Sequence, residues 1–270
     1  MGGVLRYLRL YFALARFGLQ RELAFRGNFL VKIFVEVLWL FILIAFYRTV
    51  FSKTSVVADW SEPQYLFFVG CYFALAGLIE AFFLVNCSDF ADLIRTGDLD
   101  FYLLKPIDEQ FLVTCRTIDW STAGNVLMGA AVMGLAFVQL DVPLSVGRLG
   151  VFLVLFVCGI AIAYSLLLFL TSTAVWFKRN QSLYELWWLF TSLMRYPREI
   201  FDGPVASHLG WFFTYVIPIL LVVNMPARTL VKLFDEPVLI AFTLTVAVVL
   251  VATSRKFFRH ALRRYRSASS

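Results

Sequence analysis

The chain has 270 residues, of which 61% are hydrophobic, 17% aromatic and only 16% charged; that balance excludes a single soluble domain. The net charge of +6 gathers at the two ends, which fits a membrane orientation signal and argues against a nucleic-acid-binding surface. Several apolar runs reach about 20 residues, enough at about 1.5 Å per residue to cross roughly 30 Å of hydrocarbon. Alternating strand patterns are absent, so a helix bundle is expected rather than a barrel.

Residues 1–28 begin with positive charge but lack a clean apolar core and a small-residue cleavage site, so no signal peptide is read there. Arg6, Arg9, Ala13, Arg16 and Gln20 fall on one helical stripe, with Leu5, Leu8, Phe12, Leu19 and Leu23 elsewhere on the wheel. This predicts an amphipathic helix lying at the membrane interface, or an ordinary lead-in to the first span.

The spans are predicted at residues 29–50, 64–86, 111–140, 150–176, 182–196 and 237–253. A Lys178-Arg179-Asn180-Gln181 turn joins the fourth to the fifth, and a basic tail occupies 254–270. Residues 197–235 are of another kind, punctuated by Pro197, Gly203, Pro204, Pro218 and Pro226. The apolar piece 211–223 is 13 residues long with Pro218 inside it. It is too short to span, so re-entrant short helices broken at Pro204, Pro218 and Pro226 are expected, with a seventh span as the alternative. With six spans and both termini on one side, 15 Lys and Arg fall inside and 7 outside. The positive-inside bias then places both termini in the cytoplasm.

Residues 87–110 form a charged, amphipathic island between spans two and three. Gly97 breaks the incoming helix, Asp98 is suited to cap a new one, and Pro106 stops it. Leu99, Phe101, Tyr102, Leu103 and Leu104 give the short helix a sticky face. Either it is a cytoplasmic docking helix, or it is an interfacial loop whose leucines dip into lipid.

The run from Arg95 to Ile107, with its glycine, its acidic-Leu-acidic step, its paired leucines and its Pro-Ile, resembles the coupling-helix signature of ABC-2-type transporter permeases. It resembles one bacterial branch of them, with paired permeases and a separate ATPase. The resemblance implies an all-α membrane fold of six transmembrane helices forming a single domain over 1–270. It also implies an N-terminal connecting helix and re-entrant helices before the last span. Gly97, Asp98, Leu99, Asp100, Phe101, Leu103, Leu104 and Pro106 would dock an ABC ATPase dimer carrying ATP and Mg. A second permease, a bacterial inner membrane and export as the direction of transport are further implications of the family; nucleic acid is not an expected partner.

No GxxxxGK[ST] phosphate loop, GxSxG or HExxH occurs, so no catalytic residue, bound cofactor or metal is expected and the chain is not expected to be an enzyme by itself. Cys71, Cys87, Cys115 and Cys158 form no CxxC pair. Five ionisable residues lie within the predicted spans: Lys32, Glu36, Glu80, Arg116 and Asp119. Spacings of four and three put Lys32 with Glu36, and Arg116 with Asp119, on shared helix faces. An inner-leaflet charge cluster is expected, or else snorkelling bases and solvated acids. Gly124, Gly129 and Gly134 are close to small-xxx-small spacing and predict close helix packing, with a dimer seam as one use. Two rivals stand beside the permease: a secondary transporter or channel using Glu36, Glu80 and Asp119, and a non-transporting membrane scaffold.

Overall fold

The computed structural model describes residues 2–140, 145–177, 181–232 and 236–266. In chain order the elements are α1 (Gly2–Ala24), α2 (Arg26–Phe51), a hairpin of β1 (Val56–Val57) with β2 (Trp60–Ser61), and α3 (Glu62–Ile79). A wide π-type turn, Glu80–Leu84, carries α3 into α4 (Val85–Thr96). Then come α5 (Leu99–Leu103), α6 (Glu109–Thr114), α7 (Trp120–Val138), α8 (Val146–Phe177) and α9 (Gln181–Met194). A 3-10 turn at Arg198–Phe201 precedes α10 (Ser207–Trp211), its π-type continuation Phe212–Val216, α11 (Ile219–Val231) and α12 (Pro237–Arg264).

Five of these helical stretches are long and apolar enough to cross a bilayer: α2, α3 through α4, α7, α8 and α12. The pair Ser207–Val216 and Ile219–Val231, bent by 90°, makes a sixth candidate if it counts as one span. The expected span at 182–196 falls short, because α9 has 14 residues and covers only about 21 Å. The Lys178–Gln181 turn falls on residues 178–180, outside the described residues.

Span boundaries differ from expectation in three places. Helix α4 carries the second span to Thr96, ten residues past the expected end, because nothing between Asn86 and Thr96 breaks a helix. The expected span from 111 to 140 is two helices: α6 ends at Thr114, Cys115–Asp119 is irregular, and α7 starts afresh at Trp120. Arg116 and Asp119 therefore do not share a helix face. At the other end of the chain, α12 continues to Arg264, so most of the basic tail is helical.

Helix α3 is the shaft of the bundle. Tyr65 through Gly77 are buried in an unbroken run. Its tightest seam is with α7: a Cβ on Gly129 would stand 2.5 Å from the Ala74 nitrogen and 2.6 Å from the Gly70 oxygen, so only glycine lets these backbones touch. Gly124 and Gly134 meet nothing within 4 Å, so Gly129 finds its small partner inside this chain. Pro226 is not a break: it sits buried within α11. Having no N–H, it leaves the Val222 carbonyl free, and that oxygen is the atom nearest Gly159 of α8. Pro218 does stand at the 90° bend, and Pro204 lies in the turn before α10.

Both ends of the described chain come to the α4–α5 end of the shaft. Arg6 of α1 donates to the Pro106 carbonyl at 3.3 Å, and Arg255 of α12 reaches Asp108 at 2.7 Å. The opposite end carries the hairpin, the Arg198–Phe201 turn and the start of α12, where Arg228 meets Glu236 at 3.0 Å.

Candidate functional site

The expected docking element exists as a helix gripped on its inner side and bare on its outer side. Gly97 ends α4 with φ 82°, a left-handed conformation that reverses the chain and that a side chain would strain. Asp98 occupies the capping position of α5, but its carboxylate takes the Thr96 hydroxyl at 2.8 Å and no α5 N–H. Leu99 is fully buried among Phe90, Val113, Leu168 and Phe258, so α4, α6, α8 and α12 all hold it. Tyr102 and Leu103 pack partly buried on the same cluster. Phe101 and Leu104 point the other way and are 67% and 82% exposed. Arg95, Asp98, Lys105 and Pro106 are exposed around them. The sticky face of the sequence is thus two faces, Leu99 with Leu103 inward and Phe101 with Leu104 outward.

Three ties fasten α5 and its following turn. Arg116, in the break before α7, donates to the Tyr102 hydroxyl at 2.9 Å and pairs with Asp89 of α4 at 2.8 Å. Lys105 sits 4.6 Å over the Tyr102 ring. Asp108 is the hub: its Oδ1 accepts from Phe111 N–H and caps α6, while its Oδ2 takes Arg255 at 2.7 Å, with Arg259 at 3.9 Å. Asp108 N–H donates to the Tyr7 hydroxyl at 2.9 Å, and the Tyr7 ring meets Phe111 edge-on at 5.2 Å. One residue therefore joins α1, α6 and α12 beneath the exposed face, α1 through its main-chain N–H and the other two through its carboxylate.

The five ionisable residues expected within the spans are each held by a partner of their own. Lys32 pairs with Asp119 at 3.3 Å, where Asp119 also caps α7 through Thr122 N–H and takes the Ser121 hydroxyl. Arg116 is spent on Asp89 and Tyr102. Glu36 accepts from Asn125 Nδ2 at 3.0 Å, and Glu80 accepts from Trp187 Nε1 at 3.3 Å. Glu36 and Glu80 line one cleft of about 270 Å³ with Asn125 and Arg195, and neither Lys32 nor Arg116 lines it.

Sequence reasoning missed several partners. Glu22 of α1 accepts from the N–H groups of Trp120 and Ser121 at 2.8 and 3.1 Å, so α1 helps cap α7. Asp89, Asp108, Asn125 and Arg195 were equally invisible as partners, since each works across elements far apart in sequence. Asp108 alone carried a local signal: an aspartate before Glu109 is a helix N-cap pattern. Among the described residues no group of three or more His, Cys, Asp or Glu is placed to share a metal ion.

Comparison with known proteins adds the family. The model of a family described as ABC-2 family transporter protein matches residues 37–269. No curated protein and no solved structure matches the chain. The match takes in the shaft, the α5 element and its ties, and the bent pair before α12. The chain therefore belongs to the ABC-2 transporter family, as a multi-pass membrane permease component of an ABC transporter.

Proposed function

We propose that this chain is the passive half of an ATP-driven exporter, moved through α5 by a separate ATPase. Membrane proteins of the family work in a bilayer with ATPase subunits. One observation carries the docking role: Phe101 and Leu104 are bare while Leu99, on the same short helix, is fully buried. Exposed apolar side chains rimmed by Arg95, Asp98 and Lys105 suit a partner's cleft. The inward ties through Arg116 and Asp108 make a push on that face a push on α4, α7 and α12.

In this reading Gly97 to Pro106 is the coupling helix, with Asp98 and Asp100 meeting a basic partner surface. The α5 end faces the cytoplasm of a bacterial cell, so both described ends of the chain lie there, under the positive-inside bias. ATP and Mg bind to an ATPase dimer, and this chain hydrolyses nothing by itself. The bent pair, with Tyr215 against Phe242 at 5.3 Å and Gln64 Nε2 reaching the Val231 carbonyl at 3.5 Å, returns to the far end and serves as the re-entrant element. Helix α2, whose Phe34, Phe41, Ile42 and Phe46 are exposed, faces lipid or a second permease. A carrier running on Glu36, Glu80 and Asp119 is less well supported, because Asp119 is committed to Lys32 and to capping α7.

The test is co-purification of the ATPase with Phe101→Asp/Leu104→Asp in mild detergent. Both side chains are outward, so the variant is expected to insert and behave as a monodisperse protein while losing the ATPase. Full recovery of the ATPase removes the docking role. Leu103→Asp is a poor substitute, because Leu103 packs inward and its loss confounds docking with folding.

A further inference from the structure

We infer that the cleft between α2, α3, α7 and α9 is a binding site for an amphiphile with a primary ammonium head. The cleft, about 270 Å³, has room for such a head and the first methylenes of its tail. Its polar wall accepts more than it donates. Glu36 stands on α2, and Glu80 stands where α3 widens into the π-type turn, a distortion found often at functional sites. Between them, Asn125 is 95% buried, spends its Nδ2 on Glu36, and leaves its Oδ1 with no partner. Two carboxylates and a bare amide oxygen match the three N–H donors of an ammonium group.

The one cation in the cleft does not cancel this. Arg195 lies over the rings of Trp39 and Tyr72, at 5.3 and 5.6 Å, and hydrogen-bonds to Tyr72. One guanidinium faces two carboxylates in a low-dielectric setting, where an uncompensated charge is costly. The tail has its own wall: Trp39 is 45% exposed and Trp188 71% exposed at the rim, so the opening is lined by side chains suited to lipid. Glu36 is ten residues into α2, roughly 15 Å along a helix long and apolar enough to cross a bilayer. Binding needs no ATPase; only its meaning as cargo rests on the permease reading.

The head has two possible sources, a free amphiphilic amine or an ethanolamine lipid headgroup. The probes are therefore dodecylamine and lyso-phosphatidylethanolamine, titrated onto the purified full chain in maltoside micelles and followed by tryptophan fluorescence. Dodecanol and lyso-phosphatidylglycerol are the neutral and anionic controls. Saturable binding of at least one amine, at least tenfold tighter than both controls, is expected. Tighter binding of dodecylamine assigns the site to a free amine, and tighter binding of the lysolipid assigns it to the headgroup, with the Arg195 Nε, buried and unpartnered, as the donor to its phosphate. Glu36→Gln/Glu80→Gln is expected to lose the preference at least tenfold; if that variant does not fold, the half-buried Glu36→Gln alone is read for the same loss. Equal binding of amines and controls, or an unaltered preference in a folded variant, overturns the assignment. Loss of binding with the ATPase still captured would leave the permease reading intact.

Discussion

The two ends of the bundle hold their polar groups in different ways. At the far end Glu199, 12% exposed, accepts from Trp60 Nε1 at 3.1 Å and from Asn224 Nδ2 at 3.2 Å, and Arg228 lies 3.5 Å away. Arg228 and Arg198 pair onward to Glu236 at 3.0 and 3.8 Å, and Lys232 stands 4.4 Å over the Trp60 ring. Burial lowers the Lys232 pKa, with Glu199 pulling against it. That network locks the hairpin, the Arg198–Phe201 turn, α11 and the start of α12 to one another. At the α5 end the ion pairs are half-exposed and link elements one by one, and the apolar side chains Phe101 and Leu104 are left uncovered. The difference is mechanical: a closed network of crossing ion pairs and hydrogen bonds resists displacement, whereas a helix held by one buried leucine and a few outer ties transmits it, which suits the docking role proposed for that end.

The largest effect is expected where the lock is removed. Glu199→Ala leaves Trp60, Asn224 and Arg228 facing a buried vacancy, and breaking such a pair costs on the order of 3–5 kcal/mol. The expected result is a large fall in thermal midpoint in detergent, or loss of monodisperse protein, with Glu199→Gln much milder because it keeps an acceptor. An Ala variant as stable as the parent would show that the far end is not the lock. Next comes the buried leucine of the other end. Leu99→Ala empties a fully buried site, a change worth about 2–5 kcal/mol when the surroundings do not collapse. Here the loss is expected to stay local: proteolysis within 97–108 rises and ATPase capture falls, while the thermal midpoint drops less than in Glu199→Ala. A global loss as large as that of Glu199→Ala would erase the contrast between the two ends.

How far each end was legible in the sequence follows the same division. The α5 end announces itself locally: Gly97, Pro106 and the leucines act on neighbouring residues, so the break and the short helix could be read from order alone. Its inward and outward faces could not, because whether Leu103 or Leu104 meets the core is set by α8 and α12, far along the chain. The far end was read only as a proline-punctuated stretch. Trp60 and Glu199 are 139 residues apart, and no period or spacing links them. The partners of the charged residues were illegible for the same reason. Helical spacing was applied to Arg116 and Asp119, but the helix is interrupted at Cys115–Asp119, which places one on Asp89 and makes the other a cap. Long apolar runs located the long helices, but the helix outlasts its greasy part in α4 and α12, the run at 111–140 is two helices, and the run at 182–196 makes a helix too short to cross.

The glycine that turns the chain into α5 gives a smaller and sharper probe. Gly97→Val forces a β-branched residue to φ 82°, a strain of order 1–3 kcal/mol. The shaft and the Glu199 lock do not touch this residue, so the thermal midpoint is expected to fall by only a few degrees while ATPase capture weakens, since α5 must leave its present angle. Capture unchanged by Gly97→Val would mean the angle of α5 is unimportant.

The smallest cost to the fold, and the most informative, belongs to Asp108→Asn. The amide oxygen can still accept from Phe111 N–H, so α6 keeps its cap, and the main-chain bond to Tyr7 is untouched. What goes is the charge facing Arg255 and Arg259, whose side chains are 45% and 56% exposed; pairs of that kind contribute up to about 1 kcal/mol. Stability is therefore expected to change little, and the ATPase, whose proposed seat is Phe101 and Leu104, is expected to be captured as before. The tie between the α5 turn and α12 is the part that weakens. In the assembled complex ATP hydrolysis is expected to persist while its coupling to transport falls, with Asp108→Glu restoring part of it by returning the charge. If Asp108→Asn leaves both hydrolysis and transport at parental levels, the push travels through Leu99 and Arg116 alone, and Asp108 is a cap with two incidental neighbours.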